Sequence, residues 1–423
     1  MLFMEERLFS EIKKELTGNI LPFWEKYARD GAGGFYGALD NDNVPDAKEW
    51  RSIVMVSRYL WSYSAAARLF GEPSYLGMAD DAFRYMMRTF FDSLNGGMYW
   101  SVSSDGKPLL ARKQVYGEAF SIYALSEYAA AVKELRCKEN QSRRIMDQAL
   151  ALFALLERFA RDRVDGGYAE ALAEDWSATK ETSLSPKDID CEKSMNTNLH
   201  VMEAYTNLHR TLSVVCPEKL HELRLVGEAL ASLIRVHTTR ILNAKDMHLD
   251  LYFDRAWKQC GVDEISYGHD IEASWLLWEA GEELGQKSLL EEIRPIVLAI
   301  ARTSLKEGFD AATGGFENCM SESGVRDTTR IWWNQAEALN GFYNAWEMTG
   351  EALFADAAEK VWGWIRDYQV DKKNGDWFAA VSKDGIPVLK EAKGGNWKTS
   401  YHNARACMEL LRRSHCLSAA SCG

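Results

Sequence analysis

"NGGMYWSVSSDGKP" (95–108) is followed after a short gap by "VYGEAFSIYALSEYAAA" (115–131), and the pairing of these two stretches decides the fold. The first opens on two glycines, alternates for a few residues and closes on Asp-Gly. This pattern predicts a small hairpin or long loop, too short for a sheet core. The second is apolar or small almost all the way round a helical wheel, as expected of a helix buried on most sides.

The same pairing recurs along the chain. Glycine-aromatic turns appear in "GAGGFYGALDNDN" (31–43), "DGGYAEALAEDW" (165–176), "TGGFENCMSESG" (313–324) and "NGDWFAAVSKDGIP" (374–387), and "DMHLDLYFDRAW" (246–257) fills the gap in the series without glycines. Helical patterns that are apolar or small nearly all the way round accompany them at 57–70, 195–212, 269–284, 332–348 and 401–413. A second helical set, such as "YLGMADDAFRYMMRTFF" (75–91) and "ALFADAAEKVWGWIRDY" (352–368), sets a charged stripe against an apolar one and should face solvent. Six units of one outer and one inner helix close most simply as an (α/α)6 barrel, an all-α fold with the hairpins at one end. Residues 1–415 are expected to form one domain, with 416–423 a short polar tail.

Composition narrows the function. Of 423 residues, 47% are hydrophobic and 15 Trp, 17 Tyr and 17 Phe are present, enough for a large core and an aromatic-lined pocket. The net charge of −12 argues against capture of nucleic acid or of an anionic membrane, both of which need a basic face. A neutral or cationic small molecule fits better, and no partner protein is implied; a monomer is expected. "MLFMEERLFSEIKKELT" (1–17) reads as an amphipathic helix rather than a secretion signal, and no apolar run reaches membrane-span length. The 8 cysteines form no Cys-x-x-Cys pair, which points to a reducing cytoplasm and away from structural zinc.

With the hairpins at one end, the residues opening each inner helix converge. They include Arg58, Tyr116 with Glu118, Asn196 with His200, His269 with Asp270 and Glu272, Trp332, Trp333, Gln335 and Glu337, and finally Trp397, Tyr401, His402 and Asn403. One histidine in an apolar helix is ordinarily a satisfied core residue; three at equivalent repeat positions point to chemistry. His209, His221, His237 and His415 read instead as surface residues, and His248 as structural. Three histidines could hold zinc, but no His-x-x-x-His pair fixes two ligands on one face, so no metal and no cofactor are expected. A helix N-terminus disfavours the imidazolium while Glu272, one turn from His269, favours it, which suits a base for proton abstraction beside a carbonyl. Arg58 could stabilise the resulting enediolate oxygen.

"KSMNTNLHVMEAYTNL" (193–208), "SYGHDIEASWLLWEA" (266–280), "WWNQAEALNGF" (332–342) and "WKTSYHNARACME" (397–409) together resemble the cellobiose 2-epimerases of the N-acylglucosamine 2-epimerase superfamily. The likeness runs from about Leu16 to about Arg412. It implies an (α/α)6 barrel and metal-free epimerisation at C2 of the reducing-end sugar of a β-1,4-linked disaccharide, through a cis-enediolate. It further implies that His269 and His402 are the acid/base pair, that His200 and Arg58 hold the O1/O2 edge, and that Trp333 and Trp397 stack on the sugar. Tyr116 and Glu272 would support the site, with Asp188 and Asn196 on sugar hydroxyls. Asn198 and Asn334 depart from the family pattern. Alternatives are an isomerase or epimerase of free mannose, glucose or an N-acyl amino sugar, a glycoside hydrolase using Glu272, Glu337 and Asp188, and a non-catalytic binding module.

Overall fold

The computed structural model describes residues 2–31, 33–185, 188–261 and 264–420. The chain is all-α. Its helices are α1 (Leu2–Glu15), α2 (Leu21–Tyr27), α3 (Ile53–Phe70), α4 (Leu76–Thr89), α5 (Val115–Arg136), α6 (Glu139–Leu155) and α7 (Met195–Val215). They continue with α8 (Leu220–Val236), α9 (Tyr267–Leu284), α10 (Lys287–Glu307), α11 (Trp332–Thr349), α12 (Ala352–Trp364) and α13 (Tyr401–Ala420). The strands between them are two or three residues long and pair in sheets of two or three strands, as the hairpin patterns predict. Helix α13 continues through part of the expected tail, and residues 421–423 lie outside the described residues.

The chain forms two compact units. The larger comprises Lys48–Ile265 and Leu276–Val297. In it α5 packs between α3 and α7, and α4, α6 and α8 back α3, α5 and α7 respectively. Every residue of α3 from Ile53 to Ala67 is buried, as is every residue of α5 from Val115 to Val132. Outer helix α4 buries Leu76, Ala79, Ala82 and Met86 along one stripe, the spacing of an amphipathic helix. The smaller unit comprises Met1–Ala47, Ser266–Trp275 and Leu298–Gly423. There α11 packs against α12 and α13, and α1 packs against α13.

Local chemistry starts and stops these helices. Ser52 and Ser194 cap α3 and α7 by accepting the amide N–H of Met55 and Thr197, each at 3.0 Å. The outer helices α6, α8 and α12 each end in a single π-turn, over Leu156–Ala160, His237–Ile241 and Ile365–Gln369. His237, expected at the surface, is fully buried at the start of its π-turn, with Nδ1 2.9 Å from the Leu233 carbonyl. Burial holds its pKa down at about 4, so it is neutral. It stands four residues after Leu233 and three after Ile234, on the apolar stripe of α8. His209 is half-buried against Glu283 at 2.6 Å, His221 is exposed, His248 is buried, and the side chain of His415 lies outside the described residues.

The glycine turns share one internal structure. Asp92, Asp162, Asp310 and Asp371 each accept two successive backbone amides of their own turn. Each also pairs with a buried cation: Lys113 at 2.7 Å, Lys193 at 3.0 Å, Arg330 at 2.9 Å and Lys393. Burial alone would raise the Asp92 pKa, but Lys113 and the turn amides outweigh it and hold the group at about 2. Gly97, at φ 78°, has no room for a side chain: a Cβ there would sit 2.6 Å from Trp176 and 2.7 Å from Glu118.

Candidate active site

In the smaller unit the openings of α9, α11 and α13 bring two histidines to one indole. The Trp333 ring lies 4.7 Å from that of His269 and 5.7 Å from that of His402, centroid to centroid. Gly268 permits this approach, since a Cβ there would meet the Trp333 ring at 2.6 Å. His402 is buried and its Nδ1 lies 2.7 Å from Glu337 Oε1. A carboxylate only accepts hydrogen bonds, so Nδ1 carries a proton and Nε2 is left for chemistry. His269 is half-buried, and its Nδ1 lies 2.7 Å from the hydroxyl of Ser266.

Glu337 is held from three sides. Besides His402, it accepts from Trp275 Nε1 at 3.1 Å and from Arg405 Nη2 at 2.7 Å. Arg405 also donates to Glu272 at 2.6 Å and to the Tyr401 hydroxyl at 2.5 Å. Glu272, Glu337 and Arg405 are each about 1% exposed or less. A buried carboxylate pair with one guanidinium between them is stable only because every charge is met by hydrogen bonds. Glu272 therefore reaches Arg405 rather than serving only its helix neighbour His269. Carboxylate oxygens of Glu272 and Glu337 and a ring nitrogen of His402 lie within 4.8 Å of one another, close enough to ligate a metal ion. The Arg405 guanidinium, bonded to both carboxylates, already supplies the positive charge at that point.

In the larger unit the openings of α3, α5 and α7 form a second cluster. Arg58 donates to the Tyr116 hydroxyl at 3.1 Å and lies over the Phe120 ring at 4.7 Å. The His200 ring packs on Tyr116 and Phe120 at 4.9 and 5.0 Å, and its Nδ1 is 2.8 Å from Glu203. All five of these side chains are nearly inaccessible. Asp188, in the approach loop, accepts from Tyr252 at 2.9 Å and Ser185 at 2.5 Å. Asn196 does not cap α7, a role taken by Ser194; its Oδ1 is buried without a hydrogen-bond partner. Trp397 is half-buried just before α13.

Other residues at the helix openings build the scaffold. The fourth residues of α5, α7 and α11 are Glu118, Asn198 and Gln335, and their side-chain oxygens accept the amides of Met98, Tyr168 and Phe316 in the glycine turns. This accounts for Asn198, which also donates to the Tyr168 and Ser194 carbonyls. Asn334 likewise reaches the backbone of Glu317 and Asn318. Sequence reasoning did not single out Glu203, Ser266, Trp275 or Arg405. Three of these carried a readable signal: Ser266 and Glu203 stand three residues from a candidate histidine and Arg405 three after His402, one helical turn away in each case.

The N-acylglucosamine 2-epimerase (GlcNAc 2-epimerase) family model matches residues 34–406. A cellobiose 2-epimerase of Bacteroides fragilis is 38% identical over 409 residues, covering 96% of this chain and all of that one. The structure of cellobiose 2-epimerase from Spirochaeta thermophila superposes with a TM-score of 0.88 at 38% identity, covering 98% of both chains. A D-mannose isomerase structure shares the fold, with a TM-score of 0.78 at 18% identity over 96% of this chain and 98% of that one. The fold class expected from the sixfold pattern, an all-α barrel, is the class found. The matched span runs through the openings of α3, α5, α7, α9, α11 and α13, from Arg58 to His402, so the clusters described above fall inside it. The chain belongs to the N-acylglucosamine 2-epimerase family.

Proposed function

We propose that this protein is a cellobiose 2-epimerase, inverting C2 of the reducing-end glucose of β-1,4-linked disaccharides such as cellobiose or lactose to give the mannosyl epimer. The observation that carries the reading is the pair of imidazoles that both pack against Trp333, at ring-centroid distances of 4.7 and 5.7 Å. Inversion needs one group to remove the C2 proton and another to return it on the opposite face of a planar cis-enediolate, and two histidines supply both roles near neutral pH. Trp333 is suited to hold the sugar by stacking, and Trp397 is assigned the same role. Glu337 orients His402 and favours its protonated form; Glu272 is tied into the same network through Arg405.

To Arg58 and His200 we assign recognition of the O1/O2 edge and help with ring opening, a guanidinium being suited to an oxygen on which charge develops, and to Tyr116 support of the site. Asn196, with a buried unpartnered oxygen, and Asp188 are assigned to sugar hydroxyls. The proposed chemistry is proton transfer alone, with no metal or cofactor. Cytoplasmic residence of a single catalytic domain over 1–415 completes the reading, supported by the free thiols of Cys137, Cys191, Cys216, Cys260, Cys319 and Cys407.

The test is turnover of cellobiose in deuterated water. Glucosyl-mannose carrying deuterium at C2 is expected. A ketose as sole product, or release of free glucose, overturns the reading.

A further inference from the structure

Serine stands immediately before four of the buried helices: Ser52 before α3, Ser194 before α7, Ser266 before α9 and Ser400 before α13. At the first two it is a helix cap, with the hydroxyl on the amide of the third helical residue. At α9 the third helical residue is His269, and the Ser266 hydroxyl lies 2.7 Å from its ring Nδ1. A position that elsewhere closes a helix end here reaches the ring of a proposed acid/base residue.

We propose that Ser266 is a positioning residue for His269, accepting its Nδ1–H so that Nε2 is the nitrogen that exchanges protons with the sugar. This rests on the epimerase reading. A ring that takes a proton at Nε2 and later gives one back must keep its other N–H throughout, or it would have to pass through an imidazolate. A hydroxyl oxygen accepts that N–H equally in the neutral and the protonated ring, so one contact serves both halves of the cycle. The hydrogen bond also fixes the ring's rotation, and so which nitrogen faces the sugar, while the ring packs against Trp333 at 4.7 Å and a tilt of 50°.

At Nδ1 the two rings meet different groups. His402 has an ionisable partner in Glu337, whereas the Nδ1 partner of His269 is neutral. A carboxylate on Nδ1 strengthens the hold of Nε2 on a proton, and a hydroxyl does so far less.

The experiment compares the wild type with Ser266→Ala and Ser266→Thr, using cellobiose turnover and 15N NMR of the histidine rings, the His269 signals being identified by their loss in His269→Gln. Ser266→Ala is expected to lower kcat roughly tenfold or more with KM little changed, and Ser266→Thr, which keeps the hydroxyl, to restore most of it. In the NMR arm the neutral His269 ring is expected to hold its proton on Nδ1 in the wild type and to mix tautomers in Ser266→Ala. An unchanged ring signature in Ser266→Ala, a wild-type ring with its proton on Nε2, or a Thr variant no better than Ala overturns the proposal. A wild type with the expected ring signature but no exchange at C2 sinks the epimerase reading while leaving the tautomer assignment standing.

Discussion

Glu118 occupies a position where the corresponding helices carry amides, and replacing it with Gln tests what burial does to its carboxyl. Asn198 and Gln335 each accept the amide N–H of a turn residue at 2.8 Å and donate their NH2 back to that residue's carbonyl, at 3.2 and 2.7 Å. Glu118 accepts the Met98 amide at 2.7 Å, but an ionised carboxylate has nothing to donate. Desolvation raises its pKa to about 7, against the opposing pull of the Met98 amide and Lys113. A carboxyl moved from its ordinary 4.5 to about 7 represents about 3 kcal/mol, at about 1.4 kcal/mol per pH unit.

The sign follows from proton uptake. Between pH 4.5 and 7 the folded state holds a proton that the unfolded state has lost, so stability is full below 4.5 and falls as pH rises through 7. Glu118→Gln removes this dependence and restores the amide pattern of the other helices. The stability difference between variant and wild type, measured by urea unfolding at pH 5, 6, 7 and 8, is expected to grow in favour of Gln by up to about 3 kcal/mol. Taking the difference cancels Glu170, whose carboxyl is also raised to about 7 by burial. A difference that does not vary with pH, or a Gln variant less stable at pH 8, refutes the reasoning.

Three further outcomes are expected. Glu337→Gln, which keeps a hydrogen-bond acceptor but removes the charge beside His402 and Arg405, should lower kcat by about 10²-fold with a smaller change in KM, read from steady-state epimerisation. Gly97→Ala should destabilise by roughly 2 kcal/mol or more, from positive φ and from contacts of 2.6 and 2.7 Å with Trp176 and Glu118, measured by the urea midpoint. Dialysis against a strong chelator should leave the epimerisation rate unchanged; loss of activity restored by a divalent ion would assign the Glu272, Glu337 and His402 cluster to a metal after all.

Helix class and the pairing of buried with outer helices are legible in the sequence because periodicity reports burial directly: α5 has no polar stripe over Val115–Val132, and every residue there is buried. The candidate histidines are legible because they open helices in a repeating pattern. Their partners are harder to read. Glu337 reaches His402 and Arg405 reaches Glu272 across 65 and 133 positions of chain, and nothing local in the sequence encodes such pairings. His237, by contrast, falls four residues after Leu233 and seven after Leu230, so the apolar stripe of α8 reports its burial and only its polar side chain suggests the surface.

The aspartates of four glycine turns and their buried cations have a consequence for anyone recombining these repeats. Asp92 with Lys113, Asp162 with Lys193, Asp310 with Arg330 and Asp371 with Lys393 come from separate stretches, yet either partner alone would be a stranded charge. The smallest transplantable cassette is therefore the loop together with the lysine or arginine that neutralises it. A graft that moves the loop and leaves the lysine or arginine behind would inherit the shape of the turn without the counter-ion that keeps it closed.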